Sequence, residues 1–301
     1  MKCAIIGSTK IAEVHAEQLA NNGVKEITFI SRSPIKRKKI ISKLKKKISS
    51  KVLFYSSNIK ILNKNFYDIV CICSNTGVHD KHLKLVLALK SIVIVEKPII
   101  SLLKFKNKYK IFLNHIYKKN KKILVCYPYV HLAKDFLKLS KSIKNIKKIK
   151  FEFQSGGKSN FEEICEDLMP HALSFFHIFY KKNFLKKKIF KNNLFIKKDL
   201  WQINFKIDQI IINIILKEKP KKKTSLKLKV NDLLFIRKTK KEKGKFINFI
   251  INKKINKIEI IKNPMSVFYK ELFRNINKVN YYKINRNLTY AIMEKNKFFL
   301  N

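Results

Sequence analysis

Along the first 126 residues, short apolar and β-branched runs alternate with stretches in which apolar residues recur every three or four positions. The runs fall at residues 3–6, 26–31, 52–55, 68–73, 92–95 and 123–126, and the helical spacing at 11–21, 35–47, 79–89 and 102–118. A strand signal that keeps alternating with a helix signal predicts an α/β fold with a doubly wound parallel sheet over residues 1–126.

Beyond residue 126 the rhythm changes. A helix is expected at 132–143, a strand at 146–153, a turn at Gly156-Gly157 and a helix through 168–180. Strand candidates then follow at 201–207, 210–216, 225–230, 233–237, 246–251 and 258–261 with no long helix between them. Turn signals at Asn231-Asp232 and Lys243-Gly244 make an antiparallel meander the economical reading. The lysine-rich stretch 217–223 reads as a solvated loop, and two terminal helices are expected near 267–276 and 288–298. Residues 127–301 are therefore expected to form an α+β domain with a mostly antiparallel open sheet, devoted to substrate binding and oligomerisation. Apolar residues fall on both faces of these strands, as at Ile210-Ile211-Ile212. Helices cover only one face of a sheet, so a homo-oligomer, a dimer or tetramer, is expected.

Composition changes this picture in one respect. A chain of 301 residues with 46% hydrophobic residues buries about three quarters of its unfolded surface and needs neither metal nor disulfide to fold. Its formal net charge of +48, however, is extreme for an enzyme of small molecules. A nucleic-acid binder concentrates its cations on one face or tail and favours arginine, whose planar fork reads phosphate and guanine. Here lysine is spread throughout and arginine is scarce. Lys, Ile, Asn and Phe are abundant together, which is what A+T-rich coding does to exposed positions. No specific nucleic-acid partner is expected, although so positive a field attracts polyanions non-specifically at low salt. Cys3, Cys71, Cys73, Cys126 and Cys165 form no C-x-x-C pair and have no histidine spacing for zinc, so a reducing cytoplasm and no metal site are expected. No apolar run is long enough for a signal-peptide core or a bilayer crossing, and no membrane partner is expected.

Directly after the first run stands Gly7-Ser8-Thr9-Lys10-Ile11-Ala12. It reads as G-x-T-x-x-A against the G-x-G-x-x-G/A turn that holds a dinucleotide. Gly7 permits the tight turn and Ala12 close helix packing, but Thr9 stands where a second glycine normally admits the pyrophosphate. The second run ends in Ser31-Arg32-Ser33, where a carboxylate would otherwise select NAD. With no acid to repel a 2′-phosphate, and with Arg32 and Arg37 available to bind one, NADP is the preferred cofactor over NAD.

These residues, with three later motifs, resemble the Gfo/Idh/MocA family of NAD(P)-dependent oxidoreductases, which act mostly on sugars, cyclitols and related polyols. Ile6-Gly7-Ser8-Thr9-Lys10-Ile11-Ala12-Glu13-Val14-His15 resembles the family's G-x-G-x-I-A-x-x-H start. Ser74-Asn75-Thr76-Gly77-Val78-His79 stands where the family has T-P-N-x-x-H. Val95-Glu96-Lys97-Pro98 is similar to the E-K-P that closes the fifth strand and delivers a lysine to the nicotinamide, and Asp167-Leu168-Met169-Pro170-His171 resembles the second domain's D-x-x-x-H. The resemblance implies a Rossmann-type cofactor domain with contacts from Gly7, Thr9, Lys10, Ile11, Ser31, Arg32, Ser74, Asn75, His79, Glu96 and Lys97. It also implies Lys97, His171 and Asp167 as catalytic residues. Thr9, Asn75 and Lys90-Ser91 depart from the family's glycine, proline and Gly-Lys, and the arginine often found near Cys126-Tyr127-Pro128-Tyr129 is missing.

The chemistry is coherent without the family. A lysine at the carboxyl end of a parallel strand points into the crevice where open α/β sheets bind ligands. Oxidising an alcohol needs a proton acceptor, the part His171 can play, and Lys97 can stabilise charge growing on the same oxygen. Asp167 lies four residues before His171; Pro170 either sits inside their helix, giving both one face, or begins it and leaves Asp167 just outside. Either way Asp167 can orient the imidazole or bind a substrate hydroxyl. His15 and His79 read as scaffold, and His82 and His131 as surface. Two functions stand: an oxidoreductase acting on a secondary alcohol or ketone of a sugar, nucleotide-sugar or cyclitol, or a cofactor- or sugar-binding member of the same fold without turnover. Lys97, Asp167 and His171 together favour the first; Thr9 and the missing arginine favour the second.

Overall fold

The computed structural model of the chain describes all residues except 32, 49–51, 57–58, 60, 65, 141–142, 144, 158–160, 181–183, 188, 243–244 and 301, and leaves some side chains inside elements, Arg37 among them, undescribed. Arg32 and the Lys243-Gly244 turn therefore lie outside the described residues. The chain divides into two compact units, residues Met1–Cys126 with Phe268–Tyr290, and Tyr127–Val267 with Ala291–Asn301.

The first unit contains β1 (Lys2–Ile6), α1 (Lys10–Asn21), β2 (Glu26–Ile30), α2 (Pro34–Lys45), β3 (Val52–Ser56), α3 (Ile61–Lys64), β4 (Ile69–Ile72), α4 (His79–Val86), β5 (Ile92–Glu96), α5 (Leu102–Phe105), α6 (Tyr109–Lys119) and β6 (Ile123–Cys126). Its six strands are all parallel, in the order β3-β2-β1-β4-β5-β6. Every residue of β4 and β6, and all of β1 after Lys2, is buried, as the unbroken apolar runs require of strands covered on both faces. Strand order reverses at β1, so the crevice at the carboxyl ends of β1 and β4 is where a doubly wound sheet takes its ligand. The helix expected at 102–118 is two helices. Ser101 caps α5 by accepting from the Lys104 amide at 3.2 Å, and Lys106, at φ 43°, interrupts the ladder before α6 begins.

In the second unit run α7 (Tyr129–Leu139), β7 (Lys148–Ser155), α8 (Phe161–Phe179), β8 (Phe190–Lys197), β9 (Leu200–Ile207), β10 (Ile210–Glu218), β11 (Ser225–Val230), β12 (Leu233–Glu242), β13 (Lys245–Asn252) and β14 (Lys257–Ile261). They build an eight-stranded sheet ordered β14-β13-β12-β11-β7-β10-β9-β8. The sheet is mostly antiparallel but is not the simple meander expected. β7, the earliest strand of this unit, sits between β10 and β11 and runs parallel to β10, and the edge strand β8 was not anticipated. The stretch expected to be a loop at 217–223 begins inside β10, where Lys217 pairs with Glu152 at 2.9 Å and Glu218 is buried.

Two helices close the chain, α9 (Pro264–Arg274) and α10 (Val279–Leu300), and the unit boundaries fall within them. Residues 268–290 group with the first unit instead of continuing the second. The reason is specific polar pairing: Asn285 both donates to the Val125 carbonyl and accepts from the Val125 amide on β6, at 3.0 and 2.8 Å, and Tyr269 reaches α1.

Candidate cofactor and catalytic site

The turn from β1 to α1 is set by Gly7. Its φ of 120° is open to glycine, and a Cβ there would lie 2.6 Å from the Cys73 carbonyl oxygen beyond β4. Thr9 sits at the N-cap of α1 in extended conformation, yet its hydroxyl does not cap the helix; it donates to that same Cys73 carbonyl at 3.2 Å. Thr9 thereby ties the turn to the end of β4. Ser8 and Ser31 bring their hydroxyls to 2.8 Å, which joins the turn to the end of β2. Lys10 is exposed and Ile11 half-buried on the first turn of α1.

At the ends of β4 and β5 the expected residues again converge. Asn75 accepts from the Gly77 amide at 2.9 Å and so caps the short 3₁₀ turn Thr76–Val78. The ring nitrogens of His79 lie 2.9 Å from the Pro98 carbonyl and 3.0 Å from the Ser74 carbonyl, joining the two loops on either side of Lys97. Burial pushes the His79 imidazole below its ordinary value, against the opposing pull of those carbonyls. His82, expected at the surface, bonds the Ser74 hydroxyl through Nδ1 at 2.8 Å. Lys97 itself is half-exposed, the first residue past β5, and the Lys97-Pro98 peptide is cis.

Glu96 is fixed from behind. His15 Nε2 lies 2.6 Å from its Oε1, and His15 Nδ1 lies 2.5 Å from the Tyr269 hydroxyl, whose oxygen is 3.7 Å from Cys71 Sγ. Burial alone would raise the Glu96 carboxyl. The His15 hydrogen bond, with the charges of His15 and Lys97, outweighs it and holds the carboxyl below its usual range. Burial likewise pulls His15 down, but Cys73, Tyr269 and Cys71 around it win and raise it well above an ordinary imidazole. Donor atoms of His15, Glu96 and Cys126 lie within 4.8 Å of one another, a grouping that could hold a metal ion; the hydrogen bonds of His15 account for it without one. Tyr269 escaped the sequence reading. No motif marks it, and 254 positions separate it from His15.

On the second unit, α8 runs unbroken through Pro170, so Asp167 and His171 are one turn apart on one face. Both are half-exposed, whereas residues 164–166, 168–170 and 172–176 are buried. Pro170 cannot donate to the Glu166 carbonyl one turn back, and the Asn296 side-chain amide of α10 fills that vacancy at 3.2 Å. His171 is held by aromatic contacts, its ring 4.5 Å from Tyr129 and 5.1 Å from Phe153. The first unit thus gathers Gly7, Thr9, Ser31, Ser74, Asn75, His79, Glu96 and Lys97 at the carboxyl edge of one sheet, while Asp167 and His171 stand together in the second.

Residues 1–127 match the model of the Gfo/Idh/MocA family, described as an oxidoreductase family with an NAD-binding Rossmann fold. Over those residues the first unit is similar to the NAD-binding domain of that oxidoreductase family, and residues 268–290 lie beyond the match. Among solved structures, the chain is similar to a dehydrogenase, MviM, from Clostridium difficile at TM-score 0.64 and 13% identity, over 98% of this chain and 99% of that one. It is also similar to UDP-N-acetylglucosamine 3-dehydrogenase GnnA from Acidithiobacillus ferrooxidans at TM-score 0.63 and 11% identity, over 100% and 99%. A 3-ketoreductase from Actinomadura kijaniata, solved with NADP, is similar at TM-score 0.68 and 8% identity, over 98% and 96%. At such identities the likeness establishes the shared two-domain fold. No curated protein matches by sequence. No helix among the described residues is long and apolar enough to cross a membrane.

Proposed function

We propose that this chain is an NAD(P)-dependent oxidoreductase acting on a secondary alcohol or ketone of a sugar, nucleotide-sugar or cyclitol, with NADP preferred. The observation that carries the reading is Lys97, half-exposed at the carboxyl end of β5 beside Glu96, whose carboxylate oxygen lies 2.6 Å from His15 Nε2. The cofactor, when bound, supplies or accepts the hydride. The turn at Gly7 would hold its pyrophosphate against the start of α1, where no side chain caps the helix. Ser31 and Arg32 would face the adenosine ribose, and Ser74, Asn75 and Glu96, with the backbone that His79 anchors, would line the nicotinamide end.

Lys97 then hydrogen-bonds the substrate oxygen and stabilises its developing negative charge. His171 takes the alcohol proton in oxidation and returns it in reduction, with Asp167 on the same face to orient it or to hold a neighbouring hydroxyl. A nucleotide-sugar is favoured by the neighbour named as a UDP-N-acetylglucosamine 3-dehydrogenase. The test is a fluorescence titration with NADPH and NADH, followed by absorbance of the reduced cofactor against a panel of polyols, sugars and nucleotide-sugars. Cofactor binding without turnover of any member would favour the non-catalytic binder instead.

A further inference from the structure

Arg237 is one of five arginines in the chain and lies on β12. In register it faces Leu226 of β11 and Ile250 of β13, and Leu226 in turn faces Phe153 of β7. Register partners project to one face of a sheet, so Arg237 stands in a row with Phe153, Leu226 and Ile250, which are 3%, 1% and 0% exposed. Phe153 contacts His171, and so does Tyr129, whose ring is 5.4 Å from Phe153. Burial raises the Tyr129 phenol, and the charge and hydrogen bond of Arg237 oppose that rise. A guanidinium is therefore set into an apolar row immediately beside the aromatic packing of His171.

Its polar partners, Asn248 and the Tyr129 hydroxyl, are both neutral and leave one N–H unpaired. Nη2 donates to Asn248 Oδ1 at 3.0 Å, and that oxygen also accepts from the Thr239 hydroxyl at 2.9 Å. Nε is buried with no hydrogen-bond partner. Among the described residues no carboxylate pairs with Arg237: Glu259, next in the row beyond Ile250, is paired to Lys257 at 2.7 Å. Arg237 is half-buried with no counter-charge beside it among the described residues, and its adjacent N–H groups form a fork that fits two oxygens of a carboxylate or phosphate, whose charge would compensate its own. A neutral polyol offers no such compensation.

We infer that Arg237 binds an anionic oxygen group, carboxylate or phosphate, on a sugar-like ligand next to His171. Only the standing of that ligand as the substrate rests on the oxidoreductase reading. With five arginines, each Nε–H signal of the ¹⁵N-labelled protein can be assigned by single substitutions, and the full chain can be titrated at constant ionic strength with inorganic phosphate, acetate, glucuronate, glucose 6-phosphate and glucose. The Arg237 Nε signal should move saturably with at least one anion. The preferred anionic sugar should bind at least about 10-fold more tightly than glucose, a difference of about 1.4 kcal/mol. Glucuronate against glucose 6-phosphate tells carboxylate from phosphate. Arg237→Met should abolish the difference and Arg237→Lys, which keeps charge but loses the fork, should retain part of it. Lys238→Met, at the exposed next position, should leave it intact and so separates the site from the general positive field. An Arg237 signal that no anion moves, or an anion preference that survives Arg237→Met, overturns the inference. Neither result bears on cofactor turnover, which the substrate panel measures separately.

Discussion

His15 Nε2 lies 2.6 Å from Oε1 of Glu96, the residue before Lys97, across 81 positions of chain. The groups around them raise the His15 imidazole and lower the Glu96 carboxyl, so both shifts favour the charged pair behind the candidate catalytic lysine. The lysine's neighbour on one side is thus fixed by His15, and the carbonyl of Pro98 on the other by His79.

The pH dependence of stability follows from these directions. Glu96, depressed in the folded state, contributes stability that is present above its unfolded value and lost as pH falls through the folded one. His15, raised, contributes stability that is complete below its unfolded value and lost as pH rises through the folded one. The urea midpoint should therefore fall on both sides of neutrality. Glu96→Gln should flatten the acid limb; an acid limb as steep as that of the wild type would show that this pair does not govern it.

Gly7→Ala should be poorly tolerated. Alanine at φ 120° carries backbone strain of order 1–3 kcal/mol, and its methyl would meet the Cys73 carbonyl. Thermal unfolding should show the loss, and NADPH affinity should weaken with it. A variant with unchanged melting and affinity would mean that the turn relaxes freely.

Lys97→Met and His171→Ala should each lower kcat by at least about 100-fold, the range for losing a charge stabiliser or a general base. Cofactor affinity should hold in both, because the proposed pyrophosphate and adenosine contacts lie elsewhere. The double variant should fall little below the worse single one, as the proposed action of both residues on one oxygen in one transition state requires. Alcohol oxidation by the wild type should rise with pH as His171 loses its proton. Near wild-type turnover by His171→Ala over that range would refute the assignment.

Cofactor choice can be tested at the end of β2. Arg32→Ala should reduce the NADP-to-NAD affinity ratio by about 10-fold, the loss of one charge-assisted contact worth about 1.4 kcal/mol. Ser31→Asp, which also breaks the bond to Ser8, should shift preference further toward NAD. Unchanged ratios in paired fluorescence titrations would remove the basis for preferring NADP.

An oligomer is expected from the second unit. Leu194, Phe195 and Ile196 on the edge strand β8, and Ile211 on β10, are large apolar residues left exposed on this sheet. Light scattering at micromolar concentration should give a dimer or tetramer; a monomer would overturn the expectation.

Local pattern sufficed for much of this protein. The six runs of the first 126 residues correspond to β1 through β6, because a strand buried on both faces must be apolar at successive positions and needs no knowledge of its neighbours. The turn glycine, the strand-end lysine and the spacing of Asp167 to His171 were legible for the same reason: each is a short-range relation between backbone geometry and residue type. Whether Pro170 began α8 or lay inside it was not legible, since the group that replaces its missing hydrogen bond, Asn296, comes from 130 residues beyond Glu166.

Three things were decided only by tertiary structure. Periodicity carries no information on strand order, so the insertion of β7 between β10 and β11 could not be read from runs that resemble any meander. Strand β8 holds polar Asn192 and Asn193 and exposes apolar residues at the sheet edge, which blurs the alternation that identifies a half-buried strand. Tyr269 and Arg237 gain their places beside His15 and Tyr129 through chain separations that no motif spans. A hydrophobic pattern records which residues leave water, whereas a polar contact records which residues meet, and only the folded chain brings those partners within bonding distance.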